Sequence, residues 1–159
     1  MSKIDIASAP QRIGSGYPAP FDEPCAARIR KQLGDAAGLC DFGVNLLTLR
    51  AGAWSSQRHW HNLEDEFVYV LSGEVVLITD AGETTLRAGD CAGFPKNAPN
   101  GHHIVNRSKA EATLLEIGTR TSEDVTTYPD IDMKYDPVLG GYVHRNGEPY
   151  PKRPNKNED

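Results

Sequence analysis

From Phe42 to Gly118 the chain is a succession of short apolar runs, each cut off by a turn signal. "FGVNLLTLR" stops at Ala51-Gly52, "EFVYVLSG" leads into "EVVLITD", "ETTLR" follows a "DAG" turn, and "DCAGFP", "HHIVN" and "ATLLEIG" complete the series. Runs of about five to eight residues, rich in β-branched and aliphatic side chains and spaced by turn formers, are what the strands of a sandwich or barrel require. No part of this region repeats apolar residues at i, i+3 and i+4 over a helix length. The pattern predicts an antiparallel all-β barrel over residues 42–118, with a hairpin around Ser72-Gly73.

The flanks are less regular. Residues 1–41 read as an N-terminal arm too rich in Pro and Gly, and too short, for a second domain. Within it "DEPCAARIRKQLG" fits either a short helix capped by Asp22 or a strand pairing with "FGVNLL" across "GDAAG". The strand, with Ala27 and Ile29 alternating, is the favoured reading. Residues 119–159 read as a C-terminal extension: "DPVLGG" and "RNG" mark the turns of an irregular hairpin arm, and "PKRPNKNED" reads as a frayed tail.

Bulk properties narrow the function classes. The 159 residues suffice for one domain with a core. No apolar run approaches the roughly 18 residues of a membrane helix. "MSKIDIASAPQRIGSG" lacks the apolar centre of a signal peptide, and three scattered cysteines fit a reducing compartment, so a cytoplasmic protein is expected. Cys91 reads as a small core residue. Net charge is −5 with acids and bases interspersed, which argues against nucleic acid as a partner.

Four of the five histidines fall in two clusters, "HWH" at 59–61 and "HH" at 102–103. On a strand, His59 and His61 share a face about 7 Å apart, close enough for both to reach one ion. "NLED" then turns the chain, and Glu66 opens the next strand, where its carboxylate can point back at the pair. His102 starts another strand with Ile104 and Asn106 on its side; His103 points the other way and is the alternative third imidazole. Three imidazoles and a carboxylate suit a divalent first-row ion (zinc, iron, manganese or nickel), with positions left open for substrate.

The sequence resembles the cupins. Gly52, "AWSSQR", His59-Trp60-His61, "NLED", Glu66, "FVYVLS" and Gly73 follow the first cupin motif with one extra residue before His59. Gly89, "DCAGF", Pro95 and later His102-"HIV"-Asn106 follow the second, with two extra residues between and Asn97 where the family has glycine. The resemblance implies a double-stranded β-helix (cupin jelly roll) and one divalent metal ion held by His59, His61, Glu66 and His102. It selects Glu66 over Glu64 and Asp65. "YPAPF", "LGDAAGL", "NGHHIVNRS" and "LEIGTR" are further similar to a group of small bacterial single-domain cupins labelled, by analogy, as sugar-phosphate isomerases.

The expected function is therefore a metal-dependent isomerase or epimerase acting on a small hydroxylated or phosphorylated carbohydrate. A ferrous dioxygenase and a non-enzymatic small-molecule-binding cupin are the alternatives. Gln57, Lys96 and Asn106 are candidate substrate contacts, and Glu116 is the candidate general base if its side of "TLLEIG" faces inward. No Gly-rich phosphate cradle and no cluster of Arg or Lys converging on the site is legible. Trp60 alternates away from the metal face, toward a second sheet or a subunit contact. Phe67, Tyr69 and Leu71 form an apolar outer stripe that needs cover, so a homodimer is expected.

Overall fold

A computed structural model describes residues 3–151; the tail that reads as frayed lies, from position 152 onward, outside the described residues. In chain order the strands are β1 (Gln11–Ile13), β2 (Arg28–Gln32), β3 (Phe42–Leu49), β4 (Trp60–His61), β5 (Glu66–Ser72), β6 (Glu74–Thr79), β7 (Gly82–Arg87), β8 (Cys91–Phe94), β9 (His103–Val105), β10 (Ala112–Thr119), β11 (Thr126–Tyr128), β12 (Met133–Asp136) and β13 (Gly141–Val143). Helix is confined, among the described residues, to a 3-10 turn at Glu23–Cys25 and a single turn α1 at Leu33–Ala36. None is long and apolar enough to cross a membrane.

The strands form sheets ordered β1-β2-β3-β10-β5-β8, β13-β12-β11-β4 and β7-β6-β9. This is an all-β jelly roll with an N-terminal arm and a C-terminal extension. Leu47 and Leu49 of β3, Val70 of β5 and Leu114 of β10 meet Val75 of β6, Leu86 of β7 and Ile104 of β9, so the main core lies between the six- and three-stranded sheets. A second cluster joins Tyr17 and Cys25 of the arm to Tyr128 and Met133 of the extension. The two flanks are thus packed on each other.

Two expectations fail for identifiable reasons. The hairpin around Ser72-Gly73 does not form: β5 pairs with β8 and β10, whereas β6 pairs with β7 and β9. Gly73 is the corner where the chain leaves one sheet for the other, at φ 83°. A Cβ there would lie 2.8 Å from Ala112, so both the backbone conformation and the close approach require glycine. Cys91 is exposed; Cys25 is the cysteine in the core.

The "ARIRKQ" stretch is a strand, as favoured: β2 pairs antiparallel with β3 from Arg28↔Leu49 to Gln32↔Asn45. Its inward face carries the charge. Arg28 and Arg30 lie in register with core residues Leu49 and Leu47, and Ile29 faces out. In the extension, β12 and β13 pair across the "DPVLGG" turn and a Val143↔Pro149 bridge closes "RNG".

Candidate metal centre

Strand β4 is only two residues long, and backbone contacts to its neighbours hold the "HWH" segment. His59 and His102 exchange N–H···O bonds in both directions at 3.1 and 2.9 Å, and β4 pairs with β11 through His61↔Thr126 and Trp60↔Thr127. Glu66 opens β5 alongside. As a result, Nε2 of His59, His61 and His102 lie 3.4, 3.4 and 2.9 Å from the same Glu66 oxygen, Oε2. His59, His61 and Glu66 form one of the compact donor groups of the protein, and the His102 imidazole, stacked on Phe94 at 3.6 Å, closes it from the side.

The other ring nitrogens fix the tautomers. His59 Nδ1 is 2.9 Å from the Gln57 carbonyl, which can only accept, so Nδ1 carries the proton and Nε2 keeps its lone pair in the neutral ring. His61 Nδ1 donates to Asp124 Oδ2 at 2.6 Å, with the same consequence. Asp124 is 6% exposed and also accepts from Leu63 N and Thr126 Oγ1 at 2.7 and 3.1 Å, so its carboxylate is itself held rigid. Such an imidazole–carboxylate pair orients a ligand and fixes its tautomer. His61, Glu64 and Asp124 form another compact group, sharing His61 with the first.

Electrostatics agree with a ligand set. Burial alone would raise the Glu66 carboxyl, but His59, His102 and His61 outweigh it and hold it well below the usual range. Burial pushes His102 down, toward the neutral ring that a ligand needs. His59 is raised: burial would lower it, but the facing Glu66 charge dominates. The residues therefore fit a divalent ion of the zinc, iron, manganese or nickel class, held by three imidazoles and one carboxylate.

These groups open into a cavity of about 400 Å³. Glu116 lines it, which settles the parity of β10: the residue faces inward, opposite Asn45 on β3 and Val68 on β5. It is not an isolated buried acid, because Arg30 holds it at 2.7 and 3.0 Å. Four arginines that the sequence reading did not associate with the site (Arg12, Arg28, Arg30 and Arg120) border the same cavity, as do Tyr17, Tyr128, Tyr135 and Tyr142. Burial raises the Tyr17, Tyr128 and Tyr142 hydroxyls, so they stay protonated and able to donate. A second cavity of about 290 Å³ reaches His61, Glu66 and His102 from the other side, past Trp60 and Leu77. Trp60 therefore lines that cavity, with its backbone in β4.

The remaining candidates are not brought to the centre. Gln57 donates to the Phe21 carbonyl at 2.7 Å and is buried against the arm, because the strand does not extend back past Trp60. Asn106 is fully buried; its amide donates to Leu49 O and Ala110 O at 2.7 and 2.8 Å and accepts from Ser108, which leaves nothing for a substrate. Lys96 is exposed and borders neither cavity. His103 stands against the Trp54 ring with Nδ1 on the Ser56 carbonyl, away from Glu66. Asn97, where the family motif has glycine, sits at φ 57°, the left-handed conformation asparagine tolerates best after glycine.

Comparison with known proteins agrees with this architecture. A family profile described as a cupin domain matches residues 45–118. The chain is similar to a sugar phosphate isomerase of the cupin superfamily from Silicibacter pomeroyi, at 46% identity and TM-score 0.88, over 94% of this chain and 97% of that one. It is also similar to a protein provisionally named a sugar phosphate isomerase from Acidithiobacillus ferrooxidans, at 33% identity and TM-score 0.70, over 79% and 81%. A polyketide cyclase from Streptomyces resistomycificus, at 16% identity and TM-score 0.60 over 75% and 79%, shares the fold alone. No curated protein matches the chain.

Proposed function

The chain belongs to the cupin superfamily, and on that premise we propose that it is a metal-dependent isomerase or epimerase acting on a small hydroxylated or phosphorylated carbohydrate. The observation that carries the reading is the placement of an inward carboxylate, Glu116, in the wall of the same polar cavity onto which the three-imidazole, one-carboxylate group opens. The name given to the Silicibacter relative supports it. The fold does not, since it hosts unrelated chemistries.

His59, His61, Glu66 and His102 would hold the ion, which when bound supplies Lewis acidity toward adjacent substrate oxygens. The chain's own residues do the rest. Asp124 and the Gln57 carbonyl keep two imidazoles in their working tautomers. The protonated tyrosines offer hydrogen bonds to substrate hydroxyls, and Glu116 accepts and returns the proton that moves between neighbouring carbons. Arg30 steadies the Glu116 carboxylate on rigid β10.

The test is an aldose–ketose panel, phosphorylated and not, run on metal-loaded protein. Turnover should vanish with chelator, return with metal, and fall about 10²- to 10⁴-fold in Glu116→Gln, the usual range for a general acid–base group. Inertness across the panel, or turnover indifferent to metal, overturns the isomerase reading. Iron-dependent oxygen uptake would replace it with an oxygenase.

We propose further that the working form is a homodimer. Ile13, Phe42, Phe67, Tyr69 and Leu71 all lie on the outer face of the six-stranded sheet and are 65, 41, 39, 39 and 46% exposed. Val44, Leu46, Leu115 and Ile117 continue that face between them. Six strands about 4.8 Å apart and up to eight residues long make a face on the order of 600 Å², approaching the ~800 Å² per partner of a standard interface. A second copy presenting the same patch matches it in size and polarity. Light scattering should give twice the chain mass for the wild type and the chain mass for Leu71→Glu. A monomeric wild type at micromolar concentration refutes the dimer.

A further inference from the structure

The inner face of the arm carries cations with too few anions. Arg12 of β1 stands directly opposite Arg30 of β2, and Arg28 lies two residues from Arg30 on the same face. Like charges directly across a strand pair are destabilising, and a guanidinium cannot shed its proton. Glu116 is shared with Arg30 alone. Arg28 is 6% exposed and bonds only carbonyl oxygens, those of Gly14 at 2.9 Å and of Ser55. Burial and Arg30 together pull the Arg28 guanidinium below its ordinary value. Arg12 makes no ion pair among the described residues.

Arg12 is exposed, with its guanidinium turned toward the cavity mouth. Its guanidinium passes so close to Gly16 that a Cβ there would lie 2.9 Å from Nη2, so the glycine leaves it room. The turn brings it to the cavity that His59, His61 and Glu66 border, near enough to Tyr142 for its charge to offset a little of the rise that burial gives that hydroxyl. At the far end of the wall, Arg120 is already paired with Asp35 at 2.6 Å. Among the described residues of that wall, the charge without an ion pair therefore sits at the arm.

We propose that Arg12, backed by Arg28 and Arg30, is a binding subsite for an anionic substrate group, a phosphate or a carboxylate. An anion there would neutralise the Arg12–Arg30 juxtaposition, and bidentate guanidinium contacts suit both groups. The subsite lies within residues 12–30, outside the 45–118 that the family profile matches. The assignment rests on the cavity being the substrate site, as proposed above, but not on the reaction catalysed there.

The experiment is calorimetric titration with inorganic phosphate and, separately, acetate, on metal-loaded and metal-depleted protein. Variants are Arg12→Gln, Arg12→Lys and, as a charge-matched control, Arg107→Gln on the opposite sheet. Phosphate binding should weaken at least tenfold in Arg12→Gln, partly recover in Arg12→Lys and be unchanged in Arg107→Gln, with or without metal. A preference for acetate over phosphate would assign the subsite to carboxylates. Equal losses in Arg12→Gln and Arg107→Gln, or binding that vanishes with the metal, overturn the subsite. If Arg12→Gln loses phosphate while no phosphosugar is turned over, the subsite stands and the isomerase reading falls. If phosphosugars react with an unchanged KM in Arg12→Gln, the reverse holds.

Discussion

His61→Ala is expected to yield a folded protein that retains no stoichiometric metal. His61 faces Glu66 through Nε2, is oriented by Asp124 through Nδ1, and lies on β4, whose register with β11 places it. Removing an outer partner of a ligand typically weakens metal binding about 10- to 100-fold, so removing the ligand itself should exceed ~100-fold, or about 3 kcal/mol. Asp124→Asn should fall inside that outer-partner range. Elemental analysis of tag-free protein, with a chelator competition to rank the variants, reads both effects. Stoichiometric metal in His61→Ala, or a wild type that cannot be loaded, would remove the centre as described.

Leu114→Ala is expected to destabilise the protein by about 2–5 kcal/mol, the range for truncating a fully buried leucine. Leu114 lies in register with Leu47 on β3 and Val70 on β5, and all three are 0% exposed, so the cavity has no mobile neighbour to collapse into it. For a domain of this size a loss of ~3 kcal/mol corresponds to a melting temperature lower by about 6–12 °C. Metal content at 20 °C should be unchanged, because the ligands sit on β4, β5 and the segments just before β4 and β9. A thermal shift below about 2 °C would mean that the core between the sheets is not packed as described.

The strand series and the four histidine and glutamate residues were legible because each leaves a local mark: period-two alternation ending in a turn, and His-x-His followed by an acid at a fixed distance. Gly73 misled for the same reason. A Ser-Gly between two strand patterns is a hairpin signal, and nothing local says that Ala112 comes too close for a side chain. The alternation of "ARIRKQ" marked a strand but not its parity. An inward face of arginines becomes readable only when Glu116, 86 residues away, and the cavity are known. Asp124 carried no signal at all. It follows the ligand it orients by 63 residues and lies in a stretch that read as irregular. Asn106 was read as a candidate substrate contact, but its amide is taken up by the Leu49 and Ala110 carbonyls and by Ser108, contacts that only the folded chain brings to it.

The pairing of β4 with β11 has a temporal consequence. During synthesis, "HWHNLEDE" leaves the ribosome long before Asp124 and Thr126, and Arg30 waits longer still for Glu116. Contacts of such sequence separation close late and slowly. The orienting contact therefore cannot close before residue 124 is made, and a nascent or truncated chain that stops short of it has every candidate metal ligand but lacks the carboxylate that aims one of them. Metal capture would then be weaker in such a chain than in the finished one.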